Sequence, residues 1–194
     1  MRKFVSRETY VLVSAALLLA LSGCTAANAE GREPENTVLA QVIGVDVDGR
    51  GVVVTAAGTT GEGTVLTAAS GETLEDAFAA LPVSGDRYFS LTNVTNVIVG
   101  DGVDLTALLD YILSDPDMSY RARVWAGGFA GGLMEDMKES GLDRIQLLEQ
   151  DVTDTSTVKT ALAALVSGGT AVIPAIAVQD GKLETVGTLY YEVS

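Results

Sequence analysis

Several stretches of the sequence carry side chains whose type and spacing could do chemistry. Asp115 and Asp117, and Glu135 and Asp136, are carboxylate pairs of the sort that general acid–base hydrolysis uses. Closeness in sequence does not set two carboxyls across one scissile bond, and a solvated acidic face is the plainer reading. Asp46, Asp48 and Gly49 look like the opening of a calcium loop. The later ligand positions, including the terminal Glu, are missing, and Asp-Gly between two β-rich runs reads as a hairpin turn. Gly127-Gly128-Phe129-Ala130-Gly131-Gly132 stands where a strand passes into a helix. Backbone N–H groups at such a junction can cradle phosphate. The stretch lacks the Walker Lys and the dinucleotide spacing, and reads as a close-packed turn. Tyr120 and Trp125 are aromatics that suit a contact surface or packing beneath a loop.

Composition removes other chemistries. The chain has 194 residues, no His and one Cys, Cys24. Serine and cysteine hydrolases that work through an imidazole are therefore excluded. A Cys/His zinc site and an intramolecular disulfide are excluded too. With 12 basic and 26 acidic residues the formal charge is −14, which argues against a nucleic-acid partner. No cofactor, metal site or catalytic residue is expected, and the chain reads as a non-enzyme.

Cys24 has its own explanation. Arg2, Lys3 and Arg7 form a basic start, and Val11 to Leu21 is an unbroken apolar run. That run is too short to span a bilayer, which takes about 20 apolar residues, but has the length of a signal-peptide core. Leu21, Ser22, Gly23 and Cys24 then resemble a bacterial lipobox. The resemblance implies cleavage after Gly23 and a diacylglycerol on the Cys24 thiol. Two or more acyl chains hold a protein firmly on a membrane. Residues 1–23 carry three basic residues and one acidic, so the mature chain keeps nine and twenty-five, a net charge of −16. Contact with anionic headgroups is expected through the lipid, not through a basic patch.

These residues need elements to position them. Residues 24–36 are small and polar and read as a flexible tether, leaving 37–194 as a single domain. Residues 38–47 and 51–57 are β-rich around the Asp48-Gly49 turn, with a third strand at 64–69. Thr73 followed by Asp76 matches a capping box, opening a helix with Leu74, Ala77, Phe78 and Leu81 on one stripe. Residues 94–99 read as a buried strand. Asp104 caps a helix with Leu105, Leu108, Leu109 and Ile112 inward, ended by Asp115-Pro116. Residues 119–126 alternate as a half-exposed strand. A helix to Ser140 ends at Gly141, and 142–150 are weakly helical. A clear helix starts at Asp154 or Thr155 and stops at Gly168-Gly169. Residues 170–178 and 183–193 form a closing hairpin around Asp180-Gly181. The class is α+β: a mixed sheet with hairpins at both ends and several amphipathic helices.

In this order the segments resemble the N-terminal domain of the Ger(x)C family, lipoprotein C subunits of spore germinant receptors. Four stretches carry the resemblance. Ile43-Gly44-Val45-Asp46 is similar to the family's Gly-Ile-Asp strand end. Residues 70–77 are similar to its SGxTxxEA helix start. Val97-Ile98-Val99-Gly100 with Leu108 to Asp117 resembles VIIGE followed by LDFLLRDPE. Ile173-Pro174-Ala175-Ile176 with Gly187-Thr188-Leu189-Tyr190 resembles LPxI and the closing strand. Thr25-Ala26 stand where the family usually has Trp-Asp, Ser114 where it has Arg, and Asn93 where a His is frequent. Typical members continue for two more domains beyond Tyr190, so the resemblance implies the first domain only. It further implies a lipid-anchored accessory subunit outside the cytoplasmic membrane, the inner membrane of the spore. Such a subunit works with multi-span membrane protein partners and has no established catalytic residues. The other reading is a generic extracytoplasmic lipoprotein that binds a small solute or envelope component.

Overall fold

β1 (Thr37–Asp48), β2 (Gly51–Thr60) and β3 (Gly63–Gly71) are joined by two tight turns and pair antiparallel. This computed structural model describes residues 36–83, 86–140, 142–152 and 156–192. In the first turn the Asp48 carboxylate accepts from the Arg50 N–H at 2.7 Å, closing an Asx turn. α1 (Leu74–Ala80) follows, capped by Thr73, whose hydroxyl oxygen accepts from the Asp76 N–H. The reciprocal arm differs from a full capping box: the Asp76 carboxylate takes the Thr73 hydroxyl proton instead of reaching the backbone. A single 3-10 turn, Leu81–Val83, carries the chain past Pro82.

β4 (Tyr88–Ser90) lies parallel to the first residues of β1, and β5 (Asn96–Val99) parallel to its middle. α2 (Leu105–Ser114) is capped by Asp104, whose carboxylate accepts from the Ala107 N–H at 3.0 Å. β6 (Arg123–Ala126) runs parallel to β5. α3 (Ala130–Ser140) and α4 (Asp143–Asp151) come next. α5 (Val158–Val166) opens at Thr157, where Thr157 and Thr160 form a capping box. That start lies after the expected Asp154 or Thr155, which fall outside the described residues, as does Gly141. β7 (Thr170–Gln179) and β8 (Lys182–Glu192) close the chain as a hairpin. Its turn residues Asp180 and Gly181 both have positive φ, 51° and 74°, as a type I′ turn requires.

The sheet order is β3-β2-β1-β5-β6-β7-β8, with β4 beside β1. The fold is a mixed α/β arrangement in which hairpins stand at both ends of an eight-stranded mixed sheet. Its middle four strands, β1, β5, β6 and β7, are parallel. Parallel strands need both faces covered, and here both are. α1, α2 and α5 cover one face through Phe78, Leu108, Leu109, Ile112, Leu162 and Leu165. α3 and α4 cover the other through Met134, Met137 and Ile145.

The segment 119–126 departs from expectation. Only Arg123–Ala126 is strand, and Val124, Trp125 and Ala126 are all buried. The alternation at 119–126 suggested one wet face. A central strand between two helical layers has none.

Candidate functional site

Alternate residues of a strand share a face. On β1, Gly44 and Asp46 therefore both face α3, while Val45 between them enters the opposite core. Gly44 lets the helix lie directly on the strand. A Cβ there would stand 2.6 Å from the Met134 sulfur and 3.0 Å from the Ala130 Cβ. Two residues on, the Asp46 carboxylate meets the first turn of α3. One oxygen accepts from the Ala130 N–H and the other from the Gly131 N–H, each at 2.8 Å. Asp46 is 6% exposed. A helix N-terminus carries unpaired N–H groups and a partial positive charge, so a buried carboxylate there satisfies both.

Two glycines, Gly100 and Gly131, are explained by this contact. The Asp46 Oδ1 occupies the place where a Cβ on Gly100 would sit. A Cβ on Gly131 would lie 3.3 Å from both Asp46 Oδ2 and Thr55 Oγ1. Gly128 turns the chain with φ of 58°, and its carbonyl accepts from the Asp101 N–H at 2.6 Å. β1, β5 and β6 all end here, at the C-terminal end of the parallel strands, where open α/β sheets hold their ligands. The chain also crosses from one face of the sheet to the other at this point. The phosphate cradle that the glycine run resembles is thus filled from within. An incoming anion would have to displace a buried carboxylate that already holds both N–H groups. The arrangement is a clamp between β1 and α3.

The other nominated residues are dispersed. Asp48 belongs to the hairpin turn, where its carboxylate holds the Arg50 N–H, while that of Asp46 holds the start of α3. Among the described residues no group of three or more His, Cys, Asp or Glu side chains is placed to hold a metal ion. Glu135 and Asp136 are exposed on α3, and Glu135 lies 3.9 Å from Lys138 one turn on. Asp115 and Asp117 are adjacent in space: the Asp115 carboxylate accepts from the Asp117 N–H at 2.9 Å. Tyr120 is exposed, with the Arg121 and Lys159 cations 5.5 and 5.8 Å from its ring centroid. Leu21, Ser22, Gly23 and Cys24 lie outside the described residues.

Trp125 is no contact residue. It is fully buried under α3 and α4, and its indole N–H donates to Asn96 Oδ1 at 2.7 Å. Asn96 is itself fully buried and donates to Thr95 Oγ1 at 3.1 Å. β5 and β6 are in register at Asn96–Arg123 and Ile98–Trp125, which sets the amide diagonally beside the indole. Neither this pair nor the Asp46 clamp was legible as a pair in sequence, because 29 and 84 residues separate the partners. The available signal was a lone Asn and a lone Asp inside apolar strand runs, each at a position that should face a core.

Comparison with known protein families, curated proteins and solved structures returns no match.

Proposed function

We propose that this chain is a lipid-anchored accessory subunit of a membrane complex similar to a spore germinant receptor, acting through protein contacts. One observation carries the reading: the chain's only cysteine stands at the fourth position of Leu21-Ser22-Gly23-Cys24, after a basic start and an 11-residue apolar run. The four stretches similar to the Ger(x)C family support it further. Each supplies framework here. The first ends at Asp46, which holds α3. The second gives the Thr73 cap, the third β5 and α2, and the fourth the hairpin of β7 and β8. A chain whose nominated motifs serve the framework suits a part that presents surfaces to partners. Those partners are multi-span membrane subunits, met on the outer face of the cytoplasmic membrane, which in a spore is the inner membrane.

The test has two arms. Cys24→Ala should move the protein from the membrane fraction to the soluble one, and retention at the native level rejects lipid anchoring. Loss of the gene in a sporulating host should slow germination without changing vegetative growth. Germination at the native rate, in a host without a second copy, rejects the receptor role.

A further inference from the structure

The sheet has β3 at one edge and β8 at the other, and the two edges differ. On β3 the exposed residues are Gly63, Ala68 and Ser70, all small. On β8 residues 184–190 are all exposed, with Val186, Leu189 and Tyr190 at 47%, 41% and 71%. Among the described residues β8 pairs with β7 alone. The register shows which backbone groups this leaves free. In an antiparallel ladder, hydrogen-bonded and non-bonded pairs alternate. Pro174 has no N–H to donate and stands opposite Thr188, so theirs is a non-bonded pair. Val172–Tyr190 and Thr170–Glu192 follow at the same phase. Thr188, Tyr190 and Glu192 therefore turn their N–H and C=O groups away from β7, off the edge of the sheet.

Edge strands are commonly blunted by shortness, by Lys or Pro, or by a bulge. β8 has 11 residues, and its ladder is irregular only opposite Ala175 and Ile176. Beyond that point residues 187–192 keep an unbroken register and contain no Lys or Pro. Such an edge is a template for one more strand, and charge selects which. Asp180, Glu184 and Glu192 stand along the hairpin against one cation, Lys182. Asp101 is close enough that its charge, after burial, raises the Tyr191 hydroxyl. A second copy of a chain with a formal charge of −14 brings like charge to this edge. We infer that the free edge of β8 at 187–192 takes an extended basic segment of a partner protein as a further strand. Backbone bonds to Thr188, Tyr190 and Glu192 hold the segment, its apolar side chains pack on Leu189 and Tyr190, and its cations meet Glu184 and Glu192. The inference rests on the reading of the chain as a part that works through protein contacts. Its readout is peptide binding, so its failure and that of the Cys24→Ala or germination tests are seen separately.

The probe is the synthetic peptide acetyl-Lys-Thr-Val-Thr-Val-Thr-Lys-amide, titrated into the full chain in a neutral detergent at pH 7 and low salt. Backbone amide shifts are followed at residues 184–192. The expected result is saturation with a dissociation constant in the millimolar range, and slower hydrogen exchange at the Thr188, Tyr190 and Glu192 amides. The same peptide with Glu for both Lys should bind at least about tenfold more weakly. So should one with Pro for its central Thr, which keeps the charge and loses the strand. Tyr190→Pro removes an outward N–H and should weaken binding about tenfold, or about 1.4 kcal/mol. If that variant does not fold, Tyr190→Lys keeps the backbone and sets a cation on the edge, with a several-fold loss expected. Sedimentation of the chain alone should show a monomer. Shifts that do not saturate, or that centre outside β8, overturn the inference. So do equal affinity for the Glu or Pro peptide and unchanged affinity in a folded Tyr190 variant. A dimer of the chain alone that Tyr190→Lys dissolves also overturns it, because the occupant is then a second copy.

Discussion

Replacing Asp46 with Asn tests the clamp most directly. The native carboxylate makes two bonds of 2.8 Å to the Ala130 and Gly131 N–H groups in a buried site. Bonds to a charged group contribute roughly 1.5–3 kcal/mol each in net terms. Asn keeps one oxygen, hence one neutral bond of about 1 kcal/mol, and turns its NH2 toward the second N–H, where two donors oppose each other. The expected loss is about 3 kcal/mol. For a domain of this size roughly 2–4 °C accompany each kcal/mol, so the thermal midpoint should fall by about 6–12 °C. Urea unfolding followed by circular dichroism measures the loss. Hydrogen exchange at the Ala130 and Gly131 amides locates it, and both should exchange faster in Asp46→Asn. Gly100 supplies an internal check. A methyl there collides with Asp46 Oδ1, so Gly100→Ala should cost about 1–3 kcal/mol in the native background. With Asp46→Ala the carboxylate is gone and only the Val45 carbonyl, 3.0 Å from the added Cβ, still crowds it, so Gly100→Ala should cost less. The double-mutant cycle should therefore show a coupling of about 1–2 kcal/mol. A loss below about 1 kcal/mol in Asp46→Asn, with unchanged exchange at Ala130 and Gly131, refutes the clamp. Additive effects of the Gly100 and Asp46 changes refute the contact between them.

Trp125→Phe should cost about 3 kcal/mol, because it opens a cavity under α3 and leaves the buried Asn96 Oδ1 without its indole donor. Urea denaturation measures it, and a loss under about 1 kcal/mol would show that the pair is not needed. Tyr111 and Tyr191 give a pH dependence. Burial raises both hydroxyls above their ordinary 10.0, aided at Tyr111 by Asp115 and Glu75 and at Tyr191 by Asp101. Each raised pKa favours the neutral phenol in the folded state. The stability that each contributes is therefore complete below pH 10 and is lost as pH rises through the folded value. Denaturation across that range should show a decline that the pair of changes Tyr111→Phe and Tyr191→Phe flattens. An identical decline in the double variant rejects the assignment.

The helices show how much of the fold could be read along the chain. Asp104 with Leu105, Leu108, Leu109 and Ile112 is a cap followed by an apolar stripe, and it forms α2 with those four residues buried. Asp180-Gly181 gives the β7–β8 hairpin for the same reason: the backbone conformation these two residues tolerate is the one the turn needs. Such signals are local, since cap, stripe and turn act within a few residues. The start of α5 was less legible, because several Ser, Thr and Asp residues before Val158 can all cap, and Thr157 was chosen by its position beside β6.

The sequence by itself determined most of the elements, though not the short β4, and with them the mixed sheet with a hairpin at each end, the acidic balance and the absence of imidazole chemistry. All of these depend on composition or on neighbours a few positions apart. Only the tertiary structure decided that Trp125 is core, that the glycine run at 127–132 receives the carboxylate of Asp46, and that β8 is an edge of the sheet with Leu189 and Tyr190 exposed. These follow from strand order and from which face each helix covers. Such pairings join residues tens of positions apart, and burial alone decides whether an Asp on a strand meets water or a helix end.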